Sequence, residues 1–217
     1  TDIHIVGNPI RGEFEPLALP LEDTDLRIFV FGGSQGAVGL NSLVLAVVEK
    51  LSAEPEVARH VHWVHQTEER DLERMRTAHE RFGSLAEVVP FIHDMKSRFG
   101  ACHLVVARSG SSTLSELAAV RRPCFLVPLP TAANDHQAEN AKLFAKSGMA
   151  RVLEQNNPES VDQLASALKG WVLDPARRNQ DLKQMAHSAE GFYRPHAAEE
   201  LLSILLKSSV ATSAATR

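Results

Sequence analysis

Cysteine is scarce in this sequence, because its 217 residues include only Cys102 and Cys124. Two cysteines cannot build the disulfide framework of a small secreted protein, and they cannot supply a Cys-rich zinc site. The sequence also lacks any apolar run approaching the ~18 residues that a membrane-spanning helix needs, and it opens with no secretory signal. We therefore expect a domain that is stabilised by its apolar core and lies in a reducing cytoplasm.

An excess of positive charge is absent as well. Lys and Arg number 23 and Asp and Glu number 27, so the net charge is −4. General nucleic-acid binders usually carry a basic excess, and we expect no nucleic-acid partner. Hydrophobic residues make up 44% of the chain, which is enough for a packed core in one large domain or two small ones.

Short apolar runs alternate with longer helical patterns along the chain. Strands are predicted at 26–31, 61–65, 85–90, 104–107, 124–127 and 150–153. Helices are predicted at 37–53, 68–82, 95–99, 112–120, 135–146, 161–173, 177–190 and 195–207. Strands that alternate with helices form a mostly parallel sheet with helices on both faces. The predicted fold class is therefore α/β, with a Rossmann-like, doubly wound sheet.

Composition divides the chain into three segments. Residues 1–25 are acidic and contain proline without a helical period, and they are predicted to be a linker and lead-in. Residues 26–207 carry the alternating pattern and form the predicted ligand-binding domain, whereas the small polar residues at 208–217 predict a disordered tail. The chain starts at Thr1 without Met, and we expect it to be a piece of a longer protein.

A glycine-rich loop, Gly32–Ala37, follows the first predicted core strand and leads into a helix. Parallel sheets bind ligands at the carboxyl ends of their strands, and glycines let a phosphate approach the backbone. The helix N-terminus adds free N–H groups, and Ser34 adds a hydroxyl donor. The loop matches neither the P-loop nor the dinucleotide-binding motif, so a phosphate site and an ordinary strand-to-helix turn stand as equal alternatives.

A second loop of small residues, Arg108–Ser115, follows the fourth predicted strand and also enters a helix. It is another candidate anion site, and the carboxylate of Glu116, one turn into the helix, can accept two hydrogen bonds from a ribose diol. The alternative is a capping box in which Ser112 or Thr113 is the N-cap residue and Ser115 or Glu116 is the third helical residue. On this motif alone the capping box is the preferred interpretation.

Three further loops are predicted at the same edge of the sheet. Asp135 is a candidate N-cap residue. From it, His136 and Gln137 would point towards the crevice, either as ligands of sugar hydroxyls or as plain helix-start residues. The segment 65–67 lies at the same rim, and exposed backbone around Ile92 can pair with the edge of a planar base.

Other kinds of site find no support in the sequence. We find no Ser-His-Asp signature of a serine hydrolase in it. His60, His62 and His65 lie on or beside a strand, without the spacing of a zinc-binding helix. Cys124 lies in a predicted buried strand and is interpreted as inert core.

Taken together, the loops resemble those of the MurG family, which are bacterial glycosyltransferases with the two-domain GT-B fold. The resemblance is collinear over nearly the whole chain and covers only the carboxy-terminal half of the family. It rests on five motifs: Gly7-Asn8-Pro9-Ile10-Arg11, Gly32–Ala37 with Asn41, Phe91-Ile92, Arg108-Ser109-Gly110 with Thr113 and Glu116, and Asp135-His136-Gln137 with Asn140-Ala141.

The resemblance implies the donor-binding domain of an enzyme that transfers N-acetylglucosamine from UDP-N-acetylglucosamine to lipid I (undecaprenyl-diphospho-muramoyl-pentapeptide), which gives lipid II for peptidoglycan. In that family a separate amino-terminal domain binds the lipid acceptor. The resemblance therefore implies that the full enzyme associates peripherally with the cytoplasmic face of the bacterial inner membrane. The fragment alone is expected to be soluble, to bind the donor weakly and to turn nothing over.

The resemblance also implies roles for single residues. Ile92 would receive the uracil through its backbone, Glu116 would bind the ribose hydroxyls, and Arg11 would approach the nucleotide from the hinge. Phe91 belongs to the same set of substrate-binding residues. The other implied ligands are Ser34, Gln35, Ser111, Ser112 and Thr113 for the diphosphate, and His136 and Gln137 for the N-acetylglucosamine. The family more often has Ala at the position of Ser111.

The implied reaction is a direct displacement with inversion at the anomeric carbon. UDP leaves while the acceptor hydroxyl attacks, and helix N-termini stabilise the charge that grows on the diphosphate. No metal or other cofactor is implied, and the catalytic base is expected on the amino-terminal domain.

Three alternative functions remain open on the sequence. The chain could be the donor-binding domain or subunit of another UDP-sugar transferase that works with a separate acceptor-binding chain. It could be a nucleotide-binding module without enzymatic activity, since fold alone does not decide function. A nucleotide-sugar epimerase of this fold would need acid and base residues near the sugar, beyond Glu116 and Asp135.

Overall fold

Six parallel strands form one sheet in the computed structural model, which describes residues 3–33, 37–130 and 135–214. The strands are β1 (Leu26–Phe31), β2 (Val61–Gln66), β3 (Leu85–Val89), β4 (Leu104–Ala107), β5 (Cys124–Leu126) and β6 (Ala150–Val152). Their order across the sheet is β3-β2-β1-β4-β5-β6, and every neighbouring pair is parallel. The predicted doubly wound α/β sheet is therefore confirmed.

Helices connect the strands and follow the last one. They are α1 (Val38–Ser52), α2 (Pro55–Ala58), α3 (Glu69–Arg81), α4 (Met95–Ala101), α5 (Ser111–Ala119), α6 (His136–Ser147), α7 (Pro158–Leu173), α8 (Pro175–His187) and α9 (Ala197–Ala214). Three details differ from prediction. Helix α2 was not predicted, a 3-10 helix at Ser188–Gly191 replaces the predicted end of α8, and the backbone of α9 stays helical to Ala214 rather than ending at Lys207.

Alternation along β1 distributes its side chains between two apolar layers. Ile28 and Val30 belong to the cluster that packs against α1 and α7, whereas Phe29 and Phe31 belong to the cluster that packs against α4 and α5. All four side chains are buried. Because helices cover both faces, the strand is apolar at successive positions, as expected for a buried parallel strand.

The lead-in contains no helix or strand from residue 3 to residue 25, yet it contributes to the core. Phe14 is only 2% exposed, and its ring meets the ring of Phe99 edge-on with 5.8 Å between centroids. Leu17 packs against the same apolar cluster. This part of the lead-in therefore lies against the sheet side that holds α4 and α5, whereas Leu19 and Leu21 pack against the opposite cluster.

Two buried arginines attach the lead-in to the domain. The guanidinium of Arg122 donates to the carbonyl oxygens of Leu17 and Ala18. The guanidinium of Arg178, on α8, donates to the carbonyl oxygen of Asp23 at 2.7 Å. Burial lowers the pKa of both arginines. Backbone carbonyls of an irregular segment are thus satisfied by side chains, since no sheet or helix provides their partners.

Candidate functional site

The carboxyl ends of β1 and β4 lie side by side where the strand order changes direction. Phe31 and Ala107, the last residues of these strands, are paired in register. The chain continues from them to Gly32 and to Arg108 respectively. Doubly wound sheets bind ligands in the crevice at this position. The structure therefore brings together the starts of the two loops that are candidate anion sites in the sequence.

The loop after β1 requires glycine at two positions. A side chain at Gly32 would overlap the Cβ of Ala37, and Gly33 has a φ of +87°, a conformation that favours glycine. Helix α1 starts directly after Ala37, and in the described part of the chain no side chain caps its first turn. The predicted diphosphate ligands Ser34 and Gln35 lie outside the described residues, so their roles stay predictions.

Helix α5 also begins without a side-chain cap. Its N-cap residue is Gly110, and no side chain among the described residues accepts a hydrogen bond from its first turn. The capping box predicted with Ser112 or Thr113 is therefore wrong, and Ser115 donates instead to the carbonyl oxygen of Ser111 at 2.9 Å. Ser111 and Ser112 are exposed and Thr113 is half-buried. The amides of this first turn can therefore bind an anion.

Arg108 joins three loops at the carboxyl edge of the sheet. Its guanidinium donates to the carbonyl oxygens of Val127 at 2.9 Å and Pro128 at 3.1 Å, and to Oε1 of Gln155 at 2.5 Å. Gln155 in turn packs on Gly39 of α1, where any side chain would overlap it. These partners are neutral, and burial lowers the pKa of Arg108. Sequence reasoning gave Arg108 no role and missed Gln155.

Glu116 and Arg11 meet beside the first turn of α5. The Glu116 side chain is 19% exposed, and its Oε1 lies 3.8 Å from Nη2 of Arg11. Burial raises the pKa of Glu116, and the charge of Arg11 partly offsets that effect. Arg11 also pairs with Glu13 at 3.2 Å and lies over the ring of Phe14. The structure thus brings together Arg11, the predicted hinge residue, and Glu116, the predicted ribose ligand.

The loop after β3 carries Phe91 and Ile92. Phe91 is 64% exposed, and its ring meets that of His93 with 4.8 Å between centroids. Ile92 is half-buried against the apolar cluster that contains Phe14 and Leu117 of α5. Within the described residues the backbone of Ile92 has no hydrogen-bond partner, which leaves its amide and carbonyl for a base. The structure therefore brings this loop to the side of the sheet that holds Glu116.

The start of α6 differs from its predicted form. Asp135 occupies the N-cap position, but its φ of 57° is left-handed and its side chain accepts no cap hydrogen bond from the described residues. Asp135 is therefore the N-cap residue by position, as predicted, but its side chain does not cap the helix. His136, the first residue of the helix, is exposed at the edge of the crevice.

Gln137 links α6 to the loops after β4 and β5. Its Oε1 accepts a hydrogen bond from the amide of Leu129 at 3.1 Å, and its carbonyl oxygen accepts one from Oγ of Ser109 at 2.7 Å. Asn140 donates to the carbonyl oxygen of Ser109 at 3.3 Å. Since the backbone holds Oε1, the NH2 end of Gln137 is the part that can donate to a ligand. Ser109 and Asn140 therefore orient this helix.

The segment 65–67 at the end of β2 does not offer its side chains to the crevice. His65 and Thr67 are buried and contact the side chain of Asn41. Gln66 donates to the carbonyl oxygen of Pro90 at 3.0 Å. Through these hydrogen bonds, the three residues hold neighbouring segments of the site in position.

The residues that the structure describes contain neither a membrane-spanning helix nor a cluster of metal ligands. No helix there combines the length and apolarity needed to cross a membrane. No three of their His, Cys, Asp and Glu residues are grouped as metal ligands would be. Cys102 and Cys124 are free and buried, as predicted for Cys124.

Comparison with known proteins places the chain in a family. Residues 27–201 match the glycosyltransferase family 28 C-terminal domain. Two similar proteins, each named UDP-N-acetylglucosamine--N-acetylmuramyl-(pentapeptide) pyrophosphoryl-undecaprenol N-acetylglucosamine transferase, come from Alkalilimnicola ehrlichii and Caulobacter vibrioides. They are 39% and 37% identical over 93% and 95% of this chain. Each alignment covers 56% of the relative, so the chain spans about half the length of these curated relatives.

Solved structures agree with this result. The crystal structure of Acinetobacter baumannii MurG matches with a TM-score of 0.72 and 28% identity, over 93% of this chain and 55% of that one. The structure of S. aureus MnaA with UDP matches with a TM-score of 0.54 and 12% identity, over 85% of this chain and 47% of that one, and it supports the fold alone. The resemblance inferred from the five loop motifs is confirmed. The chain belongs to the glycosyltransferase family 28 C-terminal domain family.

Proposed function

We propose that this chain is the UDP-N-acetylglucosamine-binding domain of a transferase that adds N-acetylglucosamine to undecaprenyl-diphospho-muramoyl-pentapeptide. The names of the similar proteins support this donor and this acceptor. The observation that carries the proposal is the uncapped first turn of α5 beside the buried cation of Arg108, at the switch point of the sheet.

A diphosphate fits this position on electrostatic grounds. The partners of Arg108 are neutral oxygens, so its charge favours a nearby anion. The first turns of α1 and α5 add amide donors and the positive ends of two helix dipoles. A doubly charged diphosphate between these elements would receive hydrogen bonds from backbone groups that need no rearrangement.

The nucleoside and the sugar extend from the diphosphate in opposite directions. The free backbone of Ile92 suits the edge of a uracil, and the carboxylate of Glu116 suits the two ribose hydroxyls. Arg11 would approach the nucleotide from the hinge, and Phe91 would lie beside the base. On the other side, His136 and the NH2 end of Gln137 suit the hydroxyls of the N-acetylglucosamine.

This arrangement acts on the leaving group. When the acceptor hydroxyl attacks the anomeric carbon with inversion, the bond to the diphosphate breaks and negative charge grows on UDP. Preorganised amides of α5, including those of Ser111, Ser112 and Thr113, stabilise that charge more in the transition state than in the ground state. The base that takes the acceptor proton belongs, in this proposal, to the rest of the protein.

Exposed apolar side chains suit contact with an amino-terminal domain. Leu201, Leu202 and Leu205 are exposed along α9, and Ile3 and Ile5 are exposed at the start of the lead-in. Scattered exposed apolar residues are common, but a group on two neighbouring segments indicates an interaction surface. We assign acceptor binding and peripheral association with the cytoplasmic face of the inner membrane to that domain.

Calorimetric titration tests the proposal. The chain is titrated with UDP-N-acetylglucosamine, UDP-glucose and UDP, and the same is done with the Glu116→Gln variant. Loss of a charged hydrogen-bond acceptor should weaken binding of all three by about 10- to 100-fold. The matched control is Glu56→Gln, since Glu56 is exposed on α2, which leads into the opposite edge of the sheet.

Each outcome separates the candidate functions. Preference for UDP-N-acetylglucosamine over UDP-glucose supports the proposed donor, whereas the reverse preference favours another UDP-sugar transferase. Equal affinity for UDP and for both UDP-sugars, unchanged by Gln137→Ala, favours a nucleotide-binding module without sugar recognition. A folded chain that binds no uridine nucleotide contradicts the proposal.

A further inference from the structure

A continuous chain of buried polar side chains lies beneath the first turn of α1. Asn41 donates from Nδ2 to Oδ2 of Asp71 at 2.6 Å and to Oγ1 of Thr67 at 2.7 Å. Its Oδ1 lies 3.1 Å from Nε2 of His65, whose Nδ1 lies 3.3 Å from Nε2 of His79. All five residues are buried. The chain joins α1 to the end of β2 and to both ends of α3.

The chemistry of the partners fixes the position of each hydrogen. An ionised Asp71 can only accept, so Asn41 turns its NH2 to Asp71 and its Oδ1 to His65. Neutral His65 must then donate from Nε2 and accept at Nδ1. His79 therefore donates from Nε2 and accepts at Nδ1, where Ser84 donates from Oγ at 2.6 Å. The hydrogen bonds run in one direction from Ser84 to Asp71.

The required protonation states follow from the surroundings. Burial lowers the pKa of His65 to about 3 and that of His79 to about 4, so both are neutral at neutral pH. Arg74 donates to both oxygens of Asp71 and lowers the pKa of that carboxyl. A buried network whose members are satisfied specifies a single arrangement, since any shift leaves a buried polar group without a partner.

This network ends where the glycine-rich loop enters α1. The amide of Asn41 donates to the carbonyl oxygen of Ala37 at 2.8 Å and closes the first turn of the helix. On the other side of the loop, Phe31 pairs in register with Gln66, the neighbour of His65. We infer that His65, acting through Asn41, is a positioning residue that aims the amides at the start of α1 towards the diphosphate.

The inference deepens the proposed function and rests on it. If His65 positions the amides that bind the diphosphate, its substitution should weaken the binding of UDP more than the binding of uridine, which has no phosphate. A purely structural role would lower thermal stability and leave the preference for UDP over uridine unchanged. The quantity to measure is therefore the ratio of the Kd for uridine to the Kd for UDP.

Two substitutions at His65 differ in what they preserve. In His65→Gln, the amide can donate to Asn41 and accept from His79, so the network is kept. In His65→Leu, both bonds are lost at similar volume. The matched control is His103→Leu, since His103 is a buried histidine that accepts from the amide of Arg27 at the opposite edge of the sheet.

Affinities are measured by calorimetry for UDP and by ligand-observed NMR for uridine, and melting temperatures are recorded beside them. We expect His65→Leu to lower the ratio about 10-fold, the equivalent of one to two hydrogen bonds. We expect the ratio in His65→Gln to match that of the unmodified chain. We expect His103→Leu to lower the melting temperature and to leave the ratio unchanged.

The outcomes distinguish this inference from the proposed function. If the unmodified chain binds UDP but His65→Leu keeps the ratio while melting at a lower temperature, the inference fails alone. If the unmodified chain does not bind UDP, both fail. Should His65→Leu not fold, the isosteric Thr67→Val removes one acceptor of Asn41; a lowered ratio then supports the inference, and an unchanged ratio overturns it.

Discussion

Three buried neutral histidines should make the fold sensitive to acid. Burial lowers the pKa of His65 to about 3, and the pKa values of His79 and His103 to about 4. In the unfolded chain each histidine titrates at about pH 6.5. As the pH falls through the range between these values, the unfolded state binds protons that the folded state does not. The free energy of unfolding must therefore decrease towards acid.

The size of this effect follows from proton linkage. Between about pH 7.5 and about pH 5, each histidine removes about 2 kcal/mol from the free energy of unfolding, and the three remove about 6 kcal/mol together. That is a large share of the 5–15 kcal/mol, roughly, that stabilises a typical domain. Glu116 acts in the opposite direction because burial raises its pKa, but it is one partly exposed carboxyl against three buried histidines.

Urea unfolding measures this loss directly. Trp63 and Trp171 are both buried in the same apolar cluster, so their fluorescence reports unfolding. The variant His103→Asn keeps an acceptor near the amide of Arg27 without titrating, and it should reduce the loss by about 2 kcal/mol. The exposed His187 provides the control variant His187→Asn, with no expected change. An unmodified chain with equal free energies of unfolding at both pH values would refute the reasoning.

Three further predictions concern the lead-in, the glycine loop and the thiols. Arg122→Met leaves buried carbonyls of the lead-in without hydrogen-bond donors, so it should lower the free energy of unfolding by about 2–4 kcal/mol. The variant should also be cleaved faster by chymotrypsin in the lead-in. Equal cleavage rates of the variant and the unmodified chain would contradict this prediction. Gly32→Ala should weaken UDP binding at least about 10-fold by calorimetry, because the methyl group overlaps its neighbour. Burial raises the pKa of Cys102 to about 12 and raises that of Cys124, so Ellman's reagent should label neither until urea is added.

The strands of this fold were predictable because buried parallel strands are continuous apolar runs. The bounds of β1 and β4 match the prediction, and their ends carry the loops of the site. The start of α5 was harder, since serine and threonine are frequent N-cap residues. Ser112 and Thr113 instead lie inside the helix, with Gly110 at the N-cap position.

Contacts between distant parts of the chain left no local signal in the sequence. Arg108 bonds to Gln155, 47 residues away, and Arg122 bonds to Ala18, 104 residues away. Arginine is usually exposed, so nothing in the local pattern marked either residue as buried. The polar network under α1 was hidden for the same reason, because its members lie on three elements that only the folded sheet brings together.

A titration of the isotope-labelled chain with UDP-N-acetylglucosamine, followed by amide NMR, tests the central claim most directly. The account predicts saturable shifts concentrated at the carboxyl edge of the sheet, at the amides of Gly32, Ile92 and Ser112. Amides at the opposite edge, such as those of Leu26 and Val61, should not move. Shifts centred on the opposite edge, or none in a folded chain at saturating nucleotide, would contradict the account.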